Sequence, residues 1–235
     1  MKHLFAPLVA AGMALGGLAS DAHAAASFIF PGTSYLSSAD SPFPSSGFNY
    51  FHLETFEDHL LNTPGVIGGP GGVTSVVFGS SIHDSVDADD GVIDGSGLLG
   101  DSYFSQAGAN GVTFTFSAVA LGSLPTSVGI VWTDAGIGAS VTLKAFGPGG
   151  TLLFSETRSG FADNSNNGET AEDRFFGVVD AAGVSSIFIS NSLGGIKVDH
   201  LQYGLAAAVP EPQTWGLMLA GLATGGWLAR RRRRS

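Results

Sequence analysis

The chain has 235 residues, 35 of them glycine, with no cysteine and a formal net charge of −10. The missing cysteine excludes a disulfide-stapled fold, cysteine-ligated zinc, iron–sulfur clusters and thiol catalysis. At 44% hydrophobic residues the chain is too apolar for disorder, and its glycines keep no three-residue period, which excludes collagen. The charge is segregated. Arg230, Arg231, Arg232, Arg233 and Arg234 form a basic run near one end, and Lys2 stands near the other. Residues 25–209 hold four basic residues (Lys144, Arg158, Arg174, Lys197) against eighteen acidic ones, a net of −14. Phosphate repulsion makes so acidic a body a poor partner for nucleic acid.

The first predicted element is a targeting segment. Lys2 gives a positive start, Leu4 to Ala19 run almost wholly apolar, and Ala22-His23-Ala24 is a small-x-small cleavage site. Residues 1–24 therefore read as a secretory signal peptide, with Ala25 the first mature residue. Residues 31–47, rich in Pro, Ser and Gly, read as an irregular arm.

Short stretches of alternating apolar and polar residues follow. Val112–Phe116 puts one valine and two phenylalanines on one face and threonines on the other, and Val141–Ala145 repeats the pattern. Strands are also predicted at Tyr50–Phe56, Val73–Phe78, Val128–Thr133, Leu152–Thr157, Arg174–Val179, Ser186–Ser190 and Ile196–Tyr203, and a helical turn at 57–61. Glycine-rich turns separate them, and Gly147-Pro148-Gly149-Gly150 closes a hairpin. About nine strands with short loops predict an all-β fold, an antiparallel β-sandwich of jelly-roll type over residues 25–208.

Two acidic loops are candidate sites. Asp84, Asp87, Asp89, Asp90, Asp94 and Asp101 lie within eighteen residues without a Lys or Arg. A hard cation with oxygen ligands, such as calcium, is the usual remedy for such repulsion. The EF-hand pattern fails: from Asp84 the third and fifth positions are Val86 and Ala88, and from Asp87 the sixth is Val92 instead of glycine. A calcium loop of another kind and a solvated loop of aspartate turns both stay open, the second preferred. The loop from Asp163 to Asp173 starts like an EF-hand but has Arg174 where the bidentate glutamate belongs, so it reads as Asx turns. Asp199 and His200 read as structural.

Catalytic patterns are poor. His52, His59, His83 and His200 form no H-E-x-x-H pair, and there is no G-x-S-x-G elbow or phosphate-binding glycine loop. The chain is therefore read as a non-enzyme.

Beyond the body come Val209-Pro210-Glu211-Pro212, an uncharged stretch at 215–229, and the five arginines. That stretch spans about 22 Å as a helix, short of the hydrocarbon core of about 30 Å. A marginal transmembrane helix is predicted, with Trp215 and Trp227 at the interfaces and Arg230 to Arg234 as the cytoplasmic stop. Pro-Glu-Pro, an apolar helix and an arginine cluster together resemble the PEP-CTERM sorting signal of Gram-negative bacteria, over residues 209–235. The resemblance implies an exosortase that cuts near Pro210, Glu211 and Pro212, transient anchoring in the inner membrane, and release to the cell surface or extracellular space. It also implies association with exopolysaccharide and biofilm. Ile196 to Gly204 is similar to a strand that closes the body in this family. The body then reads as a binding or structural module of a polysaccharide matrix. The rivals are a secreted polysaccharide hydrolase and a passive structural subunit.

Overall fold

A computed structural model describes residues 24–77, 83–134, 138–163, 168–208 and 212–232. The signal peptide (residues 1–23 of it), Pro210, Glu211, Arg233 and Arg234 lie outside the described residues.

Two antiparallel sheets make the body. The first contains β1 (Ser27–Ile29), β2 (Phe48–Glu54), β4 (Gly72–Val73), β5 (Tyr103–Ser105), β7 (Ser127–Asp134), β10 (Arg174–Val179) and β12 (Ile196–Ala206), in the order β1-β10-β7-β12-β5-β4. β2 also pairs with β12, along its second half. The second sheet runs β3 (Val66–Gly69), β6 (Val112–Phe116), β11 (Ser186–Asn191), β8 (Ser140–Phe146), β9 (Leu152–Ser159). Val112, Phe114, Leu143 and Ile187 of the second sheet bury against Val128, Ile130, Trp132 and Tyr203 of the first. The all-β sandwich read from the alternation is thus present.

The short sheet behaves as its sequence predicts. In β6 and β8 every second residue is buried and the others are partly or fully exposed, as a strand covered on one face requires. The predicted hairpin joins β8 to β9. The central strands of the first sheet do not alternate. All eight residues of β7 are buried, as are the first nine of β12. The cause is a covering on the outer face. The arm at 31–47 lies there, and Tyr35, Phe43 and Val86 pack on Val131 and Phe175 as a second small core. Gly129 makes room for it, since a Cβ there would stand 2.0 Å from the Phe175 ring. The irregular arm is therefore a packed lid on β7 and β10.

Three expectations need correction. Of the strand predicted over Val73–Phe78 only Val73 is met: β4 stops there, a single turn, α1 (Thr74–Val77), follows, and Phe78 lies outside the described residues. The Asp101 carboxylate takes the Ser75 amide and the Thr74 hydroxyl and bends the chain there. Residues 57–61 form a turn closed by the His59 amide on the Phe56 carbonyl, with no helix. β1, β3 and β5 were not predicted.

A four-residue turn, α2 (Ala118–Leu121), and the terminal helix α3 (Pro212–Arg232) complete the elements. α3 is 21 residues long, yet among the described residues no helix is long and apolar enough to cross a membrane. The predicted transmembrane helix is not met on that count. Its uncharged stretch is short and glycine-rich, and its last residues are arginines.

Candidate functional site

The functional side chains gather at one end of the first sheet. There the ends of β7, β10 and β12 meet the two acidic loops, and the loops hold each other. The Gly97 amide donates to the Gly168 carbonyl at 2.7 Å, and the Thr170 hydroxyl donates to Asp87 Oδ2 at 3.1 Å. Ser96 and Glu169 form an isolated bridge. Gly97 must be glycine, because a Cβ would stand 2.0 Å from the Ser85 carbonyl.

The six aspartates of the first loop do not converge on one ion. Asp87 is buried and accepts the amides of Asp94, Gly95 and Ser96 at 3.0 to 3.3 Å. Asp90 accepts the Val92 amide in an Asx turn, and Asp94 is exposed. Asp101, Asp89 and Asp84 each enter a separate constellation. The sequence distance between neighbours in a loop says little about where carboxylates point once each finds its own donor.

Asp101 is the centre of the first constellation. It holds Ser75 through both amide and hydroxyl (2.9 and 2.8 Å), the Thr74 hydroxyl, and His59 Nδ1. Burial pushes the Asp101 carboxyl up, and those donors outweigh it and leave it below its usual range. Ser75 Oγ also lies 3.0 Å from His59 Nδ1. Serine and aspartate therefore sit on the same ring nitrogen, whereas a proton relay needs them on opposite ones. Nearby, Glu57 accepts the Asp101 amide at 2.7 Å, and burial raises its carboxyl to about 7.

The second constellation is Asp89, Asp199 and His200, whose donor atoms lie within 4.8 Å of one another. A β-bulge on β12 between Asp199 and Gln202, with His200 at a φ of 44°, turns two consecutive residues to the outer face. His200 Nε2 lies 2.9 Å from Asp89 Oδ1, and its Nδ1 lies 3.1 Å from the Tyr35 hydroxyl. Gln202 donates to that hydroxyl at 2.7 Å. The ring is thus held from both sides, by the Tyr35 hydroxyl at Nδ1 and the Asp89 carboxylate at Nε2. Asp199 accepts the amides of Val86 and His200. Burial, then the charge of Asp89, holds the Asp199 carboxyl well above its usual range. The sequence reading took Asp199 and His200 as structural; the partners Asp89, Tyr35 and Val86 that the bulge brings to them could not be read from the strand alone.

The third constellation joins residues that the sequence placed in separate segments: Asp84 from the first loop, Glu172 and Asp173 from the second, and Asp134 and Lys197, which it did not single out. Lys197 Nζ lies 3.3 Å from Asp84 Oδ2 and 3.1 Å from Asp134 Oδ2, all three buried. Lys197 faces Asp134 across the β12–β7 ladder. Arg174 faces Trp132 across the β10–β7 ladder, so Asp173 stands level with Thr133. Glu172 and Asp173 are buried beside them. Burial raises the carboxyls of Asp84 and Glu172 to about 8, and neighbouring carboxylates add to the effect. Asp173 is held well above its usual range by burial, then by the charges of Asp84 and Glu172.

A groove of about 430 Å³ opens on the outer face between the arm and β2. Ser41, Phe43, Pro44, Phe51, Leu53 and Gln202 line it.

Pro212 opens α3, and on that helix Trp227 and Arg230 are exposed. Trp215, Arg231 and Arg232 lie within it.

Comparison with curated proteins gives no match. Among solved structures, the chain is similar to a family 22 carbohydrate binding module of Clostridium thermocellum Xyn10B, with 12% identity, TM-score 0.36, and coverage of 72% of this chain and 99% of that one. It is also similar to a cleaved adhesin domain of Lys-gingipain from Porphyromonas gingivalis, with 13% identity, TM-score 0.39, and coverage of 68% and 100%. A third is the enzymatically active domain of tailspike protein 4 of bacteriophage CBA120, with 12% identity, TM-score 0.33, and coverage of 65% and 20%. Scores this low transfer neither ligand nor activity. The sequence beyond β12 is more specific: residues 208–234 match the family model of the PEP-CTERM protein-sorting motif, so the chain carries that motif, which implies export and processing by an exosortase.

Proposed function

We propose that this is an exported protein whose C-terminal segment is cut by an exosortase near Pro210-Glu211-Pro212. Its sandwich then serves, without catalysis, as a binding or structural module of the extracellular polysaccharide matrix. The observation that carries the reading is the match of residues 208–234 to the sorting motif. Before cleavage α3 holds the chain transiently at the inner membrane. Exposed Leu217, Leu219, Leu222 and Trp227 supply its apolar surface, and the arginines that follow fix its direction. The groove between the arm and β2, with Phe51 exposed beside Ser41 and Gln202, suits an extended sugar polymer, whose rings offer apolar faces and hydroxyls together.

One observation favours a hydrolase, the meeting of Ser75, His59 and Asp101. Against it, both partners use His59 Nδ1, and Asp101 is committed to four donors. Mass spectrometry of the protein from its own cells tests the sorting reading. The expected mature form ends before Trp215, and a C-terminus still carrying residues 215–235 in cells with an active exosortase overturns it. Release of sugar from matrix polymer by the purified chain overturns the non-catalytic part.

A further inference from the structure

We propose that Lys197 and Asp134 join covalently in the folded body, by an amide from Nζ to the Asp134 Cγ across the β12–β7 ladder, with Asp84 as the proton carrier. The link forms whether or not the body binds sugar.

Geometry is the first observation. Lys197 and Asp134 are direct partners in the ladder, because the register shifts beside them: Val198 faces Trp132, and Thr133 is passed over. Such a bulge re-aims the side chains next to it. Lys197 Nζ stands 3.1 Å from Asp134 Oδ2 and 3.3 Å from Asp84 Oδ2. A nitrogen that touches a carboxyl oxygen is within about a bond length of the attack distance to its carbon, about 3–3.5 Å. All three side chains are buried, which fixes their positions and keeps bulk water from the bond they would form.

The second observation is what burial leaves unanswered. Asp84 Oδ1 and Asp134 Oδ1 are buried with no hydrogen-bond partner among the described residues. Glu172 and Asp173, buried beside them, add further oxygens of the same kind. In so dry a place desolvation offsets much of the attraction within an ion pair. Condensation removes the ammonium, one carboxylate and one of the two Asp134 oxygens in a single event. Burial also raises the carboxyls of Asp84, to about 8, and of Asp134. That favours the uncharged amine and acid which the reaction consumes.

The step balances without a co-reactant. Asp84 takes one proton from Nζ. The free amine adds to Asp134 Cγ and forms the C–N bond, and the Cγ–Oδ2 bond breaks. The departing oxygen receives the proton held by Asp84 and a second one from the nitrogen, and leaves as water. Oδ1 stays as the amide oxygen, and Asp84 ends as it began. The product is a staple in a chain without cysteine. It spans 63 residues of sequence and fastens the last strand to β7.

The test uses the full chain, folded in mild detergent and then denatured. Its mass falls below the calculated one by one water. An amine-reactive label added in denaturant modifies Lys144 and spares Lys197, and trypsin does not cut after Lys197. Fragmentation of the branched peptide places the link at Asp134. Asp84→Asn keeps both partners and loses the link. Should that variant fail to fold, the parent still decides: recovered unfolded from inclusion bodies it has its full mass, and the water is lost only on refolding. A folded parent of full mass, a label on Lys197, a link at another residue, or an Asp84→Asn chain that folds and links as fully as the parent each overturns the proposal. Ring closure at Asp90-Gly91 or Asp94-Gly95 also loses water, but it leaves Lys197 open to the label and so counts against the link.

Discussion

Glu57 shows what a single half-buried carboxyl does to the molecule. Its folded value of about 7 stands above the ordinary value of 4.5, chiefly because burial disfavours the charged form. A group raised in the folded state adds stability that is complete below its unfolded value and is lost as pH rises through the folded one. The contribution of Glu57 is thus full below about pH 4.5 and gone above about pH 7. Glu57→Gln keeps the carbonyl that accepts the Asp101 amide and removes the titration. The variant's melting temperature should fall less than the parent's between those two values; parallel curves would show that Glu57 does not titrate there. The same residue explains a failure of reading. Glu57-Asp58-His59 looks helical as a string, but His59 sits at a φ of 67°, which ends any helix before it starts.

At the scale of elements, the alternating strands were legible and the irregular ones were not. β6, β8 and β11 bury every second residue against one core, so their period survives in the sequence. β7 and β12 were predicted at Val128–Thr133 and Ile196–Tyr203, but their double burial is owed in part to an arm more than eighty residues earlier, which no local pattern reports. β1, β3 and β5 are three or four residues long, too short to show a period. Residues 74–77, predicted as strand, turn instead where Asp101 takes the hydroxyls of Thr74 and Ser75 and the Ser75 amide. The third constellation was illegible for a related reason. Asp84 and Lys197 are 113 residues apart, and only the pairing of β12 with β7 brings them together.

The loop from Asp84 to Asp101 is an element in its own right, and Asp87 organises it. One carboxylate gathers the amides of Asp94, Gly95 and Ser96 and the hydroxyl of Thr170 on the second loop. Asp87→Asn puts an amide donor in place of Oδ2, against the Gly95 amide and the Thr170 hydroxyl that donate there. The expected cost is about 1–3 kcal/mol, read as a lower denaturant midpoint. Amide exchange at residues 94–96 should quicken in the same variant. An unchanged midpoint with unchanged exchange would mean that the loop is held by other contacts.

At the scale of the whole molecule, the sorting segment and the sandwich are chemically distinct. The body between residues 25 and 209 carries a net charge of −14, and the basic run that masks it lies wholly beyond the cleavage motif. Processing near Pro210-Glu211-Pro212 would therefore change the charge of the molecule as well as its length. The matrix would meet a far more acidic protein than the one that is synthesised.

β12 is the last strand in the chain and the keystone of the first sheet, paired at once with β2, β5 and β7. A chain exported from its N-terminus delivers β1, β10 and β7 as one fragment and β5 and β4 as another, with β2 waiting for a neighbour. Those pieces become one sheet only when residues 196–206 arrive, six residues ahead of α3. Completion of the fold and presentation of the sorting segment are thus nearly simultaneous. The position of one strand in the chain lets the state of the body be felt at the point where it is to be cut free.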